Sequence, residues 1–373
     1  MQNVGQGWLV LKLTNSPLYL GLVGACGAAP MLLLALPAGV VADRFTKQRI
    51  LLLTQSLAML QAFALAGLVY AGVVQVWHVM LLAASLGAVN ALDMPTRHAM
   101  VLDLVSREDA LNAVSLNSTA FNSGRIIGPA VAGLLVAKAG MAGCFFINGF
   151  TFLAVIVALL LITPRPPRAA LEGPLRRQIG DGLAWVRTQP VILWLLAITA
   201  VSSLFAMPYA TLMPIFARDI FHVGPEGFGF MMSAAGVGAI LSAVTLTAYG
   251  HRWPLGLLVT IGSFLFPLAL LGLALAPRYG LAIVSLFVMG LGMMLFNAVS
   301  NTVLQRTPPD ALRGRVMSLR TFFFAGLAPL GNLQIGVAGQ WLGVRSAVAL
   351  GGVICLATAA LACWRAPHLR RAE

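Results

Sequence analysis

The chain has 373 residues, 59% of them hydrophobic and only 9% charged, with a mean hydropathy of +0.90. Such a composition excludes a water-soluble globular protein and points to a polytopic membrane protein. The formal net charge of +13 does not indicate a nucleic-acid partner, because the basic residues fall almost entirely in short gaps between apolar runs, the positive-inside pattern. Alternating, strand-like segments are absent, so helices rather than a barrel must satisfy the backbone in lipid.

Taken in chain order, apolar runs long enough to cross a hydrocarbon core of about 30 Å as helix predict spans at residues 18–41, 50–70, 77–99, 113–136, 141–162, 191–216, 228–249, 255–276, 281–303, 316–340 and 344–364. Ahead of them, residues 4–13 are apolar over only about ten residues, half of a crossing. No basic segment precedes that stretch, so it does not read as a cleavable signal. Arginines and lysines collect in alternate gaps, including Arg44, Lys47, Arg49, Arg97, Arg165, Arg187, Arg252, Arg313, Arg315, Arg320 and Arg365, and these gaps are read as cytoplasmic. The C-terminus is then also expected to be cytoplasmic.

The longest polar gap divides the chain. We expect an N-terminal helical bundle over residues 1–163, a cytoplasmic linker over 164–190, a C-terminal bundle over 191–366 and a cytoplasmic tail over 367–373. Leu175, Ile179, Leu183 and Val186 recur at helical spacing beside arginines in the linker, which predicts an amphipathic helix on the inner interface. The halves are weak repeats of each other. "REDALNAVSL" leads into a span with Pro129, and "PPDALRGRVMSL" into one with Pro329. Parallel repeats of six-helix halves are a known transporter design with a substrate site near the midplane.

Two motifs sharpen the assignment. "GVVADRFTKQR", Gly39 to Arg49, resembles the loop signature of the major facilitator superfamily, with Gly39, Ala42, Asp43, Arg44, Lys47 and Arg49 fitting and Thr46 standing where that signature has a second glycine. "GRIIGPAVAG" resembles the superfamily's fifth-helix motif through Gly124, Gly128, Pro129 and Gly133. Together with "DMPTRHAMVLDLV" and "LRGRVMSLRTFFFAGLAPLGN", they make nearly the whole chain resemble the exporter branch that includes enterobactin exporters and macrolide efflux proteins. The resemblance implies an all-α membrane protein of the major facilitator fold, with two six-helix bundles and a first helix shortened at its start. It also implies a conformational latch at Gly39, Asp43, Arg44, Lys47, Arg49 and Arg97, with Arg313 and Arg315 as partners from the second half, and helix packing at Gly124, Gly128, Pro129 and Gly133.

Arg125 is the one charge between Asp109 and Lys138. At roughly 100° per residue, Ser115, Ser118, Asn122, Arg125 and Pro129 share a stripe, while Leu116, Ala120, Ile127, Val131 and Leu134 lie opposite. With a rise of about 1.5 Å per residue, Arg125 is about 18 Å deep, near the midplane. An intramembrane arginine usually faces a cavity or a partner. Asp93 is the nearest acid by span and the only one placed within a complete span, so it is both a candidate partner of Arg125 and the candidate proton carrier. Pairing with Arg97 alone is the alternative for it. Asn90, Asn148 and Thr151 in the first half, with Tyr209, Asn297, Asn301, Phe322 and Asn332 in the second, would complete a weakly polar, aromatic lining suited to an amphipathic organic molecule.

The expected function is secondary active export of such a compound, a siderophore, macrolide or other drug-like molecule, by alternating access and with proton antiport. The alternative is a non-transporting scaffold, binding partner or inactive fragment. No metal, cofactor or enzymatic site is expected: Cys26, Cys144, Cys355 and Cys363 stand singly, the histidines lie at span ends or in gaps, and no GxxxxGK[ST] run occurs. The expected partners are membrane lipids and a small-molecule substrate. The expected setting is the bacterial inner membrane, with the chain as a monomer.

Overall fold

The computed structural model describes residues 1–106, 109–162 and 185–366. Every regular element among them is helical: α1 (Gln2–Thr14), α2 (Pro17–Arg44), α3 (Lys47–Tyr70), α4 (Val76–Leu104), α5 (Ala110–Leu160), α6 (Pro190–Val201), α7 (Tyr209–Ile215), α8 (Pro225–Tyr249), α9 (Leu255–Leu275), α10 (Tyr279–Arg306), α11 (Asp310–Thr321), α12 (Ala328–Leu342) and α13 (Val344–Arg365). Among the described residues, ten helical stretches are long and apolar enough to cross a membrane, so this is a multi-pass membrane protein.

Local chemistry sets several boundaries. α1 ends where Asn15 enters the left-handed region at φ 50°, its N–H bonded to the Leu11 carbonyl. α2 restarts at once because Ser16 is extended and Pro17, which has no N–H to lose, opens the new helix. α4 begins with a reciprocal cap between Gln75 and His78. The 51 residues of α5 would run about 76 Å as one rod, over twice the hydrocarbon thickness. Gly140 resolves this: at φ 72°, ψ 177° it breaks the helix, leaving the two spans predicted at 113–136 and 141–162.

Helix packing follows the membrane rule of small residues at close crossings. A Cβ on Gly262 of α9 would sit 2.6 Å from the Phe296 nitrogen of α10, and one on Gly292 would sit 2.6 Å from the Phe266 nitrogen in return. The two backbones therefore touch, and only glycine permits it.

The chain divides into two compact units, Met1–Glu172 with Val223–Gly229, and Gly173–His222 with Phe230–Glu373. In the second, Ile192, Leu195, Val299, Val303, Leu304 and Val316 form one fully buried cluster that also takes in Val186 and, half-buried, Trp185. Of the predicted interfacial linker helix, Leu175, Ile179 and Leu183 lie outside the described residues. Val186 is buried in this core, at 1% exposure.

Three helical stretches in the second unit widen to π geometry: Ser202–Ala206 between α6 and α7, Phe216–Ile220 after α7, and Phe322–Gly326 between α11 and α12. Two of them meet, the Ser203 hydroxyl donating to the Phe324 carbonyl at 2.8 Å. Such segments recur at functional sites because the extra residue displaces backbone groups from the regular ladder.

Candidate functional site

Arg125 lies on α5, and the exposures along that helix show which way it faces. Leu116 and Ile127, about 180° from it, are 72% and 59% exposed, as lipid-facing side chains are. Ala132 and Val136, within about 20° of its own direction, are 0% and 6% exposed. Arg125 is itself exposed, on the face that closes up further along the helix, and no described carboxylate pairs with it. Asn122, three residues before it, is half-buried and held by a further contact. The side chain of Ser118 lies outside the described residues.

The glycines of the same motif explain the closing. A Cβ on Gly133 would lie 2.5 Å from the Pro225 carbonyl oxygen and 3.1 Å from the Gly229 Cα, and one on Gly229 would meet the Pro129 carbonyl at 2.5 Å. Val223–Gly229 belongs to the first unit, and the two glycines seat it against α5 at backbone distance. Gly124 has open space around it and Gly128 nearly so, so close packing falls on Pro129 and Gly133.

Asp93 takes the second of its two candidate partners. It is 6% exposed, and its Oδ2 accepts from Arg97 Nη2 at 2.8 Å and Nε at 3.1 Å, one turn along α4. Its Oδ1 accepts from Gln55 Nε2 at 2.6 Å and lies 2.9 Å from the Thr54 hydroxyl, which shares its proton with the Leu51 carbonyl at 3.0 Å. The carboxylate's acceptor sites are thus filled as an ionised group requires. Arg97, expected at the latch, is occupied here, with 41% of its side chain exposed.

Of the other latch residues, Gly39 is within α2, and the side chains of Asp43 and Arg44 lie outside the described residues. Lys47 forms an ion pair with Asp103 of α4, which fixes the start of α3 to the end of α4. Arg49 is exposed. Arg313 donates from Nε to the Gln305 carbonyl at 2.9 Å, closing the turn between α10 and α11, and Arg315 is half-buried.

The expected lining residues have different settings within their own units. Asn148 is buried and donates to Gln2 Oε1 at 2.8 Å, while Gln2 donates to Gln61 Oε1 at 3.1 Å. These amides therefore tie α1, α3 and the second half of α5 together. Asn90 is exposed, Tyr209 buried, and Phe322 half exposed with its ring edge-on to Phe323. Asn332 accepts from the Thr211 hydroxyl at 2.9 Å, and Asn301 is half-buried.

Asn297 stands at a small recess in the second unit, with room for about one water, lined by Thr199, Ser202, Met207, Phe266, Met293, Phe296, Asn297 and Phe324. Sequence reasoning missed its most polar neighbour. Arg320, counted there as a cytoplasmic boundary charge, lies within the apolar stretch Leu312–Leu342. Its Nη2 donates to the Asn297 carbonyl at 3.3 Å, and its guanidinium carbon is 5.8 Å from the centre of the Phe324 ring. The available signal was its setting, "MSLRTFFF", five residues past the last clear gap arginine and flanked by apolar side chains.

Comparison with known proteins adds what geometry cannot. The family described as transmembrane secretion effectors matches residues 1–372. The chain is 28% identical to a staphyloferrin A transporter of Staphylococcus aureus, over 95% of this chain and 89% of that one. It is 27% identical to the multidrug efflux pump Tap of Mycolicibacterium fortuitum, over 91% and 85%. Among solved structures, the peptide transporter POT superposes with a TM-score of 0.77 at 16% identity, covering 99% of this chain and 92% of that one. The last likeness bears on the fold alone.

Proposed function

Because the chain belongs to the transmembrane secretion effector family of the major facilitator superfamily, and is thus a membrane transporter and not an enzyme, we propose that it exports an amphipathic organic compound from the bacterial cytoplasm. Relatives that carry a siderophore-type compound or pump drugs support that direction and substrate class. The observation that carries the reading is Arg125, a permanent cation at mid-helix on the face turned away from lipid, left exposed. An arginine at that depth is too costly against lipid and belongs to a water-filled path.

The energy source in this reading is proton antiport, and Asp93 is its carrier. Protonation of Asp93 removes the charge that holds Arg97, so proton uptake and release of that ion pair are one event. The exposed part of Arg97 supplies the route by which water reaches the pair. Arginine cannot itself exchange protons in this range, so Arg125 acts on substrate and Asp93 on coupling. Transport by alternating access, a cytoplasmic C-terminus and an inner-membrane location complete the proposal. No resident cofactor is required, since the gradient supplies the energy.

The test is efflux of a macrolide and of an acidic siderophore from vesicles, with and without an imposed pH gradient. Arg125→Ala is expected to cut efflux of the acidic compound at least tenfold at either gradient setting. Asp93→Asn is expected to abolish only the gradient-dependent part. Normal export by both variants, with normal insertion, refutes the assignment.

A further inference from the structure

One partner of Asp93 differs in kind from the rest. Arg97 Nη2 and Nε reach Oδ2 at 2.8 and 3.1 Å, and Gln55 Nε2 reaches Oδ1 at 2.6 Å. All three are nitrogens that give a hydrogen bond and take none. The fourth partner is the Thr54 hydroxyl, 2.9 Å from Oδ1, and a hydroxyl can do either. It also has a second place for its own proton, since the Leu51 carbonyl lies 3.0 Å away on the same helix. Thr54 and Gln55 are both buried, so bulk water does not stand in for them.

An ionised Asp93 suits this set, because every partner can donate to it. A proton arriving on the carboxyl does not meet the two oxygens alike. On Oδ2 it would point at the N–H groups of Arg97, where nothing accepts it, and a buried O–H without an acceptor is costly. On Oδ1 it can be donated to Thr54 Oγ1, once that hydroxyl has turned its own proton to Leu51. Other charges do not disturb the choice. Of the helices packed against α4, α1 brings Lys12, α3 brings Lys47 and Arg49, and α5 brings Arg125 and Lys138. Lys47 is spent on Asp103, and no described ion pair joins the others to Asp93. Asp43 and Arg44 of α2 have side chains outside the described residues. The described bonds of Asp93 thus go to Arg97, Gln55 and Thr54, and none goes to His98 on its own helix.

We propose that Thr54 houses the coupling proton: a proton taken from water bonds to Asp93 Oδ1 and is donated to Thr54 Oγ1, while the Thr54 hydroxyl swings its own proton from Asp93 to the Leu51 carbonyl. No other bond to hydrogen forms or breaks, and the carboxylate becomes neutral by the one charge that enters. Oδ2 is then a neutral carbonyl oxygen and a weaker acceptor for Arg97, so the turn of one hydroxyl accompanies the loosening of the ion pair. Release of the proton runs the same steps backward. Thr54 is thereby a positioning residue for the proton, chosen by the sense of its hydrogen bonds. The part that proton plays in export rests on the antiport reading; its place on Oδ1 does not.

Infrared difference spectra of the purified full chain in lipid, taken between alkaline and acid buffer, read the carboxyl directly. The band of protonated Asp93 is the one missing from Asp93→Asn. Thr54→Val, which keeps the shape of the side chain and removes the hydroxyl, is expected to move that band to higher frequency, as an O–H without an acceptor requires. Thr54→Ser should leave it in place. In vesicles, Thr54→Val should cut gradient-driven efflux at least fivefold and Thr54→Ser less than twofold, an order that a merely space-filling threonine would reverse. An Asp93 band unmoved in Thr54→Val puts the proton elsewhere and overturns the proposal. So does wild-type efflux by Thr54→Val where Asp93→Asn has lost it, and so does the lack of any Asp93 band in acid, which removes Asp93 as carrier too. Should Thr54→Val fail to fold, Thr54→Ala carries the same comparison. The two readings separate: the expected band shift in a chain whose Asp93→Asn variant keeps gradient-driven efflux refutes coupling through Asp93 and leaves the proton's place standing, whereas an unmoved band with that efflux lost in Asp93→Asn refutes the role of Thr54 only.

Discussion

Two arginines, both within apolar helical stretches, are treated differently by the two units. Arg97 faces a carboxylate one turn away, and that carboxylate is further held by Gln55 and Thr54, so the cluster is neutral as a whole and closed on itself. Arg320 faces a carbonyl and a ring, and part of its donor capacity is unused. A closed cluster can only change by taking up a proton. The contrast predicts that substitutions that remove each charge behave differently.

The largest effect is expected at Arg97→Gln, which leaves buried Asp93 charged without its cation. Removing one partner of a buried pair costs about 3 kcal/mol or more, and the half-exposed position of Arg97 puts the expected loss near about 3 kcal/mol. Asp93→Asn in the same chain should recover most of it. Thermal unfolding of single and double variants checks this, and equal losses in both would remove the basis for a coupled pair. Next comes Ser203→Ala, which deprives the Phe324 carbonyl of its donor at a cost of about 1 kcal/mol, read by thermal unfolding. The smallest effect is expected at Arg320→Gln. Because the cation is poorly satisfied, its loss should change stability by less than about 0.5 kcal/mol. A stability loss as large as that at Arg97 would mean Arg320 is a brace, and the contrast between the units would fail.

How legible this was in the sequence depended on the range of the interaction. The spans followed from apolar run length alone, including the two crossings that Gly140 separates within α5. The Asp93–Arg97 pair could be read as well, because a spacing of four places both on one helix face. Thr54 and Gln55 could not, since their meeting with Asp93 depends on the register of α3 against α4. The setting of Arg320 was out of reach for a related reason: its bond to a carbonyl of α10 depends on how α11 packs. The π segments were invisible because their i→i+5 bonds answer to packing between helices and leave no local pattern. Asn148 looked like a lining amide; only the fold shows that Gln2 takes its hydrogen bond.

The central claim is that export is paid for by protons passing through Asp93. Everted vesicles energised to an interior-acid gradient, followed with acridine orange fluorescence, test it directly. On adding a transported macrolide, vesicles with the wild-type chain should recover fluorescence as protons leave in exchange, and vesicles with Asp93→Asn at equal abundance should show no recovery above vesicles lacking the protein. Recovery of equal size with Asp93→Asn would contradict the account.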